Sequence, residues 1–516
     1  MSATDKATLK QTFEEKELEI LRKAIDETEE LNQQKIAQSP EIKKIIKIVE
    51  EFIRNKRLIC YGGTAINNIL PTQDQFYNKD LELPDYDFYS PKALTDAKEL
   101  ADIYFKAGYE DVEAKAGVHH GTYKVFVNFI PMADITYMEP PLFKTVFKEA
   151  IKINGLHYAP PNFLRLNIYK ELSRPAGDVS RWEKVYKRLI LLNKHYPMKN
   201  PKCNAVQFMR DFEGNKKLEK SVYNTLKTAI IDQGLVFFGG YASSLYGEYM
   251  PKPLQKRLKN VPDFDVLAED PATSAALLKE RLEEAGFQSV KINKKKGIGE
   301  IIAVHYEIVV NGETVCFVYA PLGCHSYNTI EINGAKVKVA TIDTMLNLFL
   351  GFMYSESPYY DHDRILCMSQ YLFDVQAKNR LEQKGLLKRF SINCYGTETT
   401  LESVRAEKTA KYKELKNKRN SKEYDEYFMR YNPNKLITTA DDGAAAKKAA
   451  VTKKAAVTKK AAVTKKAAVT KKAAVTKKAA VTKKAAVATR KKYTQKKQIP
   501  PKNKNRQKNP FKFVLF

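Results

Sequence analysis

Three aspartates and a pair of glycines are the residues of this chain whose types and order could do chemistry. Asp85 and Asp87 stand two apart in Pro84-Asp85-Tyr86-Asp87-Phe88, and Asp134 lies in the apolar run Met132-Ala133-Asp134-Ile135-Thr136. On a strand, that i, i+2 spacing puts Asp85 and Asp87 on one face. Grouped carboxylates hold hard divalent ions such as Mg²⁺ or Mn²⁺, and two such ions can clamp the attacking and leaving oxygens of a phosphate. Upstream, Gly62-Gly63-Thr64 precedes a predicted helix. A Gly-Gly turn lets backbone N–H groups approach phosphate closely, and the helix start favours negative charge. Thr64 adds a hydroxyl. The chemistry implied is transfer of a nucleotide from a triphosphate to a hydroxyl, with Asp85, Asp87 and Asp134 as metal ligands. Singly, each piece has a bland reading: a turn, a solvated strand end, a capping Asp. Asp134 is the most telling, because an unpaired carboxylate among apolar neighbours is costly to bury.

The surrounding elements must position these residues. Ser39-Pro40 predicts a helix start, and Ile42, Ile45, Ile46, Val49, Phe52 and Ile53 recur at helical spacing. Leu58-Ile59-Cys60-Tyr61 reads as a strand running into the glycines. A helix is expected over 92–107, with strands over 112–118 and 123–130 leading to the Asp134 strand. Residues 161–196 read as helical and basic; Lys170 and Arg174 are candidate triphosphate or RNA contacts, against a solvated helix face. Trp182 reads as core. Residues 8–34 read as an amphipathic helix whose Phe13, Leu18, Leu21 and Ile25 pack against the body, with a partner helix as the lesser alternative.

The chain then repeats itself. Val236-Phe237-Phe238-Gly239-Gly240-Tyr241-Ala242 echoes residues 59–65, and Val261-Pro262-Asp263-Phe264-Asp265-Val266 echoes residues 83–88. Asn347-Leu348-Phe349 matches Asn167-Ile168-Tyr169. The second copy departs where chemistry needs it intact. Its third strand, Thr314-Val315-Cys316-Phe317-Val318-Tyr319, has no acid, and Tyr241 replaces the small hydroxyl residue. The fold expected is α+β: duplicated nucleotidyltransferase-like units, each a mixed β-sheet plus helices, the second degenerate, followed by a disordered basic C-terminal tail. The boundaries expected are an N-terminal helical segment over 1–39, the catalytic domain over 40–158 and a helical segment closing the active site over 159–225. The degenerate domain follows over 226–336, then a C-terminal helical segment over 337–438 and a Lys/Ala-rich tail over 439–516.

The wording of Ile59-Cys60-Tyr61-Gly62-Gly63-Thr64-Ala65 and Leu83-Pro84-Asp85-Tyr86-Asp87-Phe88-Tyr89 resembles the poly(A) polymerase catalytic subunits of large cytoplasmic DNA viruses. These belong to the polymerase β-like nucleotidyltransferases. The resemblance implies template-independent adenylate addition from ATP to a single-stranded RNA 3′ end, with two Mg²⁺ or Mn²⁺ ions. It implies nucleotide binding by Gly62, Gly63, Thr64, Lys170 and Arg174. It also implies either a homodimer or a viral processivity subunit, and the host cytoplasm, in a viral factory or packaged in the virion. Adenine selection comes from the resemblance alone. The rival readings are another nucleotidyltransferase, with a different base or a second-messenger product, and a non-catalytic RNA-binding scaffold.

Charge narrows the classes further. The chain carries 88 Lys and Arg against 60 Asp and Glu, a net of +28. Residues 443–516 hold 24 of those cations and no acid, so residues 1–442 are nearly balanced, with 64 basic and 60 acidic side chains. Within the tail Lys-Lys-Ala-Ala-Val-Thr recurs six times from Lys447. A six-residue period sends the lysine pairs around a helix and forms no apolar stripe. The six cysteines show no C-x-x-C spacing and read as reduced, in a cytosolic compartment. No run is long and apolar enough to span a membrane, and the first residues do not read as a signal peptide.

Overall fold

The computed structural model describes residues 12–78, 84–208, 216–250, 252–256, 258, 263–355 and 359–434. The described residues belong to one compact unit that ends at Asn434; the basic tail expected to be disordered lies outside the described residues.

Two mixed sheets with the same topology build the first unit. The first contains β1 (Ile59–Cys60), β2 (Tyr86–Ser90), β3 (Val112–Ala116), β4 (Thr122–Val127), β5 (Ile130–Tyr137), β6 (Ile151–Ile153) and β7 (Leu156–Tyr158). The second contains β8 (Val236–Phe238), β9 (Phe264–Leu267), β10 (Val290–Lys295), β11 (His305–Val310), β12 (Glu313–Tyr319), β13 (His325–Ile332) and β14 (Ala335–Ala340). Two short strands, β15 (Cys394–Tyr395) and β16 (Arg430–Tyr431), come from the C-terminal helical region. The first sheet runs β16-β3-β4-β5-β2-β1-β7-β6 and the second β10-β11-β12-β9-β8-β14-β13-β15. Without the two late strands the orders coincide strand for strand. Their senses coincide too: β2 is parallel to β5 as β9 is to β12, and β1 is antiparallel to β2 as β8 is to β9. The duplication read from the two motifs is therefore a duplication of whole lobes.

Helix Pro40–Lys56 shows how the sequence builds the first lobe. Pro40 occupies the first helical position, and Ile42, Ile45, Val49, Phe52 and Ile53 are buried on one face. Each such side chain stabilises the fold by roughly 1.5–3 kcal/mol. Arg57, in the left-handed region at φ +54°, ends the helix and turns the chain into β1. The segment over 161–196 is two helices, Pro161–Leu172 and Trp182–His195. Pro175 breaks the helical pattern between them. Trp182 is half-buried, its indole N–H donating to the Glu171 carbonyl at 3.0 Å.

The lobes join through equivalent helices. Pro161–Leu172 packs on Ile342–Phe352, and the Asn347 amide donates to the Leu166 carbonyl at 3.3 Å. The Ser326 N–H donates to the Ser173 carbonyl at 2.8 Å, adding a backbone link. Late in the chain, Arg430 and Tyr431 pair with Lys115 and Ala114, so the C-terminal region returns to the first sheet as β16. The expected C-terminal helical segment over 337–438 did not include this strand.

Two expectations are corrected. Helix Phe13–Ala37 forms, but Phe13, Leu18, Leu21 and Ile25 are all exposed, so its apolar side does not pack on the body. Amphipathic spacing reveals a face but not whether anything covers it. The cysteines are not all reduced: Cys203 is bonded to Cys367 and Cys324 to Cys394, while Cys60 and Cys316 are free and buried. The partners lie 164 and 70 residues apart in sequence, where no local spacing rule reaches.

Candidate active site

The acids meet on the first sheet because of strand register. β2 and β5 are adjacent and parallel, with Asp87 directly opposite Asp134. Side chains of paired residues share a face of the sheet, so the two carboxylates face the same side. Asp85 precedes β2 and is exposed. The Thr64 hydroxyl donates to the Asp85 carbonyl at 2.8 Å and fixes that approach; Thr64 itself is buried.

The first glycine is tied to the Asp87 carboxylate and the second to a cation. Helix Gly62–Ile69 begins directly after β1. Gly62 has φ +73°, and a Cβ there would lie 2.5 Å from Asp87 Oδ2. Any side chain would strike the carboxylate as well as strain the backbone. Gly63 faces the Tyr77 hydroxyl and the Arg188 guanidinium, which would lie 2.8 Å from a Cβ. Arg188 donates to the Tyr77 hydroxyl at 2.6 Å and is buried, its guanidinium over the Phe76 ring.

Electrostatics marks the cluster as strained in its charged form. Burial, then the charges of Asp85 and Asp134, push the Asp87 carboxyl up to about 7; Lys124 and Arg181 act in the opposite direction. Partial desolvation and the Asp134 charge likewise raise Asp85, although it is the most exposed of the three. Asp134 pairs through Oδ2 with Lys124, its register partner on β4. Asp134 Oδ1 is buried without a hydrogen-bond partner. An orphaned buried carboxylate oxygen is costly, and a cation there would satisfy it. The donor set, all oxygen and carboxylate, suits Mg²⁺ or Mn²⁺. Among the described residues no group of three or more His, Cys, Asp or Glu is placed so that it could hold a metal ion as it stands.

Lys124 escaped the sequence reading. It lies on the less buried face of β4, with Thr122 and Phe126, opposite the buried Tyr123, Val125 and Val127, where a lysine reads as an ordinary solvated residue. Arg181, within the basic segment over 161–196, forms a bidentate pair with Glu171 at 3.0 and 3.2 Å. Of the two cations singled out, Lys170 reaches Glu300 of the second lobe. Arg174 pairs with Glu398 at 3.4 Å and is largely buried, its Nε unpartnered. Both stand on the helix that joins the lobes or just after it, and each is met by a carboxylate rather than by water alone.

The second lobe has the same framework with other side chains. Gly239 has φ +66°, and a Cβ there would collide with Asp265, as at Gly62. Asp265 lies opposite Phe317 in the register that sets Asp87 opposite Asp134. Phe317 in turn lies opposite Glu307, at the place of Lys124. Glu307 is buried and held by Thr314 at 2.7 Å, Tyr359 at 2.7 Å, Lys295 at 3.0 Å and Asn293 at 3.1 Å. These bonds hold its carboxyl down at about 2 against the opposing effect of burial.

Residues 47–178 match the family model described as poly(A) polymerase catalytic subunit. This is the resemblance carried by the two motifs, shown over the segment that holds all three aspartates. A protein of Acanthamoeba polyphaga mimivirus, named as a candidate poly(A) polymerase catalytic subunit, is 34% identical over 166 residues, 31% of this chain and 28% of its own. One of African swine fever virus, similarly named, is 33% identical over 172 residues, 32% of this chain and 36% of its own. The matched segment thus spans about a third of the length of these relatives. Among solved structures, the Megavirus polyadenylate synthase is similar over 86% of this chain and 90% of its own, with a TM-score of 0.70 and 20% identity. That likeness is one of fold.

Proposed function

We propose that the chain is a template-independent polynucleotide adenylyltransferase that adds poly(A) from ATP to the 3′ end of viral mRNA. The observation that carries this is the pairing of Asp87 with Asp134 across β2 and β5, with Gly62 packed against Asp87. The family match over residues 47–178 supports adenylate as the group transferred. Asp85, Asp87 and Asp134 would hold Mg²⁺ or Mn²⁺, which when bound as a pair supplies charge neutralisation for the attacking 3′ oxygen and the leaving pyrophosphate. The N–H groups of Gly62 and Gly63 open a helix whose dipole favours the triphosphate. Thr64 serves this site by holding the Asp85 backbone. Lys170 and Arg174 are the cations assigned to phosphate, and Arg181 and Arg188 join them.

Further parts of the reading concern partners and place. The 24 cations of residues 443–516 engage RNA phosphates without sequence preference. Binding of single strands loses about 0.7 in log K per neutralised phosphate for each decade of salt. Removing residues 443–516 therefore flattens the salt dependence of RNA binding. Processivity comes from a homodimer or from a viral processivity subunit, in a host-cytoplasmic viral factory or in the virion. Among the described residues no helix is long and apolar enough to cross a membrane.

The test is extension of a labelled single-stranded RNA by the full chain with Mg²⁺ or Mn²⁺ and each nucleoside triphosphate separately. A ladder with ATP alone supports the reading. Ladders of equal length with every triphosphate overturn adenylate specificity, and no ladder with any of them overturns the enzyme.

A further inference from the structure

Lys170 is not met by a carboxylate of its own lobe. Its ammonium pairs with Glu300, 130 residues on, in the segment between β10 and β11 of the second lobe. That segment is built as a tight turn. The Ile298 N–H donates to the Ile302 carbonyl at 2.8 Å, and the Ile301 N–H donates to the Ile298 carbonyl at 3.0 Å. Gly299, at φ +48°, takes the left-handed position beside Glu300. The turn is anchored from behind: Ile302 is buried, and Ile301 lies so close to Gly351 that a Cβ there would come within 2.9 Å. Glu300 projects from this support with its side chain 83% exposed, while Lys170 is 27% exposed.

The contact lies toward the reacting cluster. The Tyr89 hydroxyl, on β2 two residues beyond Asp87, accepts from the side-chain amide of Asn167, three residues before Lys170 on the same helix, at 3.3 Å. Glu300 is held ionised first of all by Lys170, with Arg174 and His119 adding to the effect. Glu300 is thus the second-lobe carboxylate that meets Lys170 across the lobes, as Glu398 meets Arg174. A carboxylate offers a cation the same hard anionic oxygens that a phosphate does. Being exposed, this pair is worth little and can be exchanged.

We propose that Glu300 is a built-in competitor for phosphate at Lys170, so that the second lobe sets substrate affinity by supplying the anion that substrate must displace. The inference rests on the reading of Lys170 as a phosphate contact. It gives the degenerate lobe a part in binding that needs no metal site of its own. Glu300 acts through Lys170 and is a positioning residue, without contact to the reacting atoms.

Equilibrium binding separates the possibilities, using Glu300→Gln, Lys170→Ala and the double variant in the full chain. The probes are α,β-methylene ATP and fluorescein-labelled oligo(A), each with Mg²⁺. Loss of the competitor should tighten binding of one probe about two- to fivefold, the range an exposed ion pair allows. That gain should vanish when Lys170 is already Ala. The probe that gains identifies the phosphate as that of the triphosphate or of the RNA strand. If Lys170→Ala weakens a probe while Glu300→Gln changes neither, Glu300 is no competitor and the assignment of Lys170 stands. If Lys170→Ala changes neither probe, the assignment of Lys170 falls and the proposal with it. Weaker binding in Glu300→Gln overturns the proposal outright, since a competitor cannot help its rival. Unchanged melting temperatures in all three variants exclude a folding effect.

Discussion

The row Lys124–Asp134–Asp87 in the first lobe and the row Glu307–Phe317–Asp265 in the second occupy the same places on the same three strands. In the first, a cation and two acids lie side by side, one acid oxygen has no partner, and Asp87 is pushed up to about 7. In the second, an aromatic ring stands at the centre, and the outer acid has its hydrogen-bonding capacity filled by four side chains. Both lobes keep the left-handed glycine packed against the Asp of the strand, so that feature belongs to the fold. What separates the two rows is the middle residue and whether its neighbours are already satisfied.

The largest effect should come from breaking the first row. Asp85→Asn, Asp87→Asn and Asp134→Asn each remove a proposed ligand charge and should lower adenylate addition by more than the roughly 100-fold that loss of an outer-shell partner costs. RNA extension rates, read beside circular dichroism, check this; near-normal rates in any two variants would remove the site assignment.

How much of this row was legible in the sequence depended on how local the signal is. The Asp pair, the glycines and Asp134 were visible because spacing and apolar context lie within a few residues. The duplication was visible because its motifs return in order. Lys124 was not singled out, because its meaning is the register of β4 against β5, across a bulge at Val125/Phe126. Glu307 was hidden for the same reason. The disulfide pairings, the return of β16 to the first sheet and the exposed face of helix Phe13–Ala37 all depend on contacts made by residues far apart, or on their absence. Lys170 and Arg174 could be named as cations, while the carboxylates that meet them, Glu300 and Glu398, belong to other parts of the chain.

The second row can be forced to resemble the first. Phe317→Asp restores the third acid but buries it beside His305, Tyr319 and Tyr359, next to the already ionised Glu307. The account expects a loss of about 3–5 kcal/mol in stability, from the lost aromatic packing and the uncompensated charge. Urea unfolding measures it. Wild-type stability in this variant would mean that the second lobe tolerates an open carboxylate row.

A smaller, pH-dependent effect sharpens the comparison at the junction. His325 is 1% exposed, neither ring nitrogen has a partner, and burial with the charges of Arg174 and Lys170 pushes it down to about 3. The unfolded chain takes up that proton near 6.5 and the folded chain does not. Stability should therefore fall as pH drops below about 6.5, by about 1.4 kcal/mol per pH unit for this group, until the folded value is reached. His325→Leu should remove that component, which melting curves at pH 7.5 and 5.5 would show as a smaller drop. An equal drop in both proteins would place the sensitivity elsewhere, for example at His157 or His305, which burial also lowers.

The smallest expected effect is in the second lobe's own acids. Asp263→Asn together with Asp265→Asn should leave extension within a few-fold of wild type, because Phe317 denies them a third ligand. Complete loss of extension with an unchanged melting temperature would show that the second lobe, too, does chemistry.

The claim that only the first row is an ion site is tested most directly by titrating the full chain with Mn²⁺ and reading bound ion by electron paramagnetic resonance. Three proteins suffice: wild type, Asp87→Asn with Asp134→Asn, and Asp263→Asn with Asp265→Asn. The account predicts that the tightest Mn²⁺ binding is lost in the first double variant and kept in the second. Retention in the first and loss in the second would contradict it.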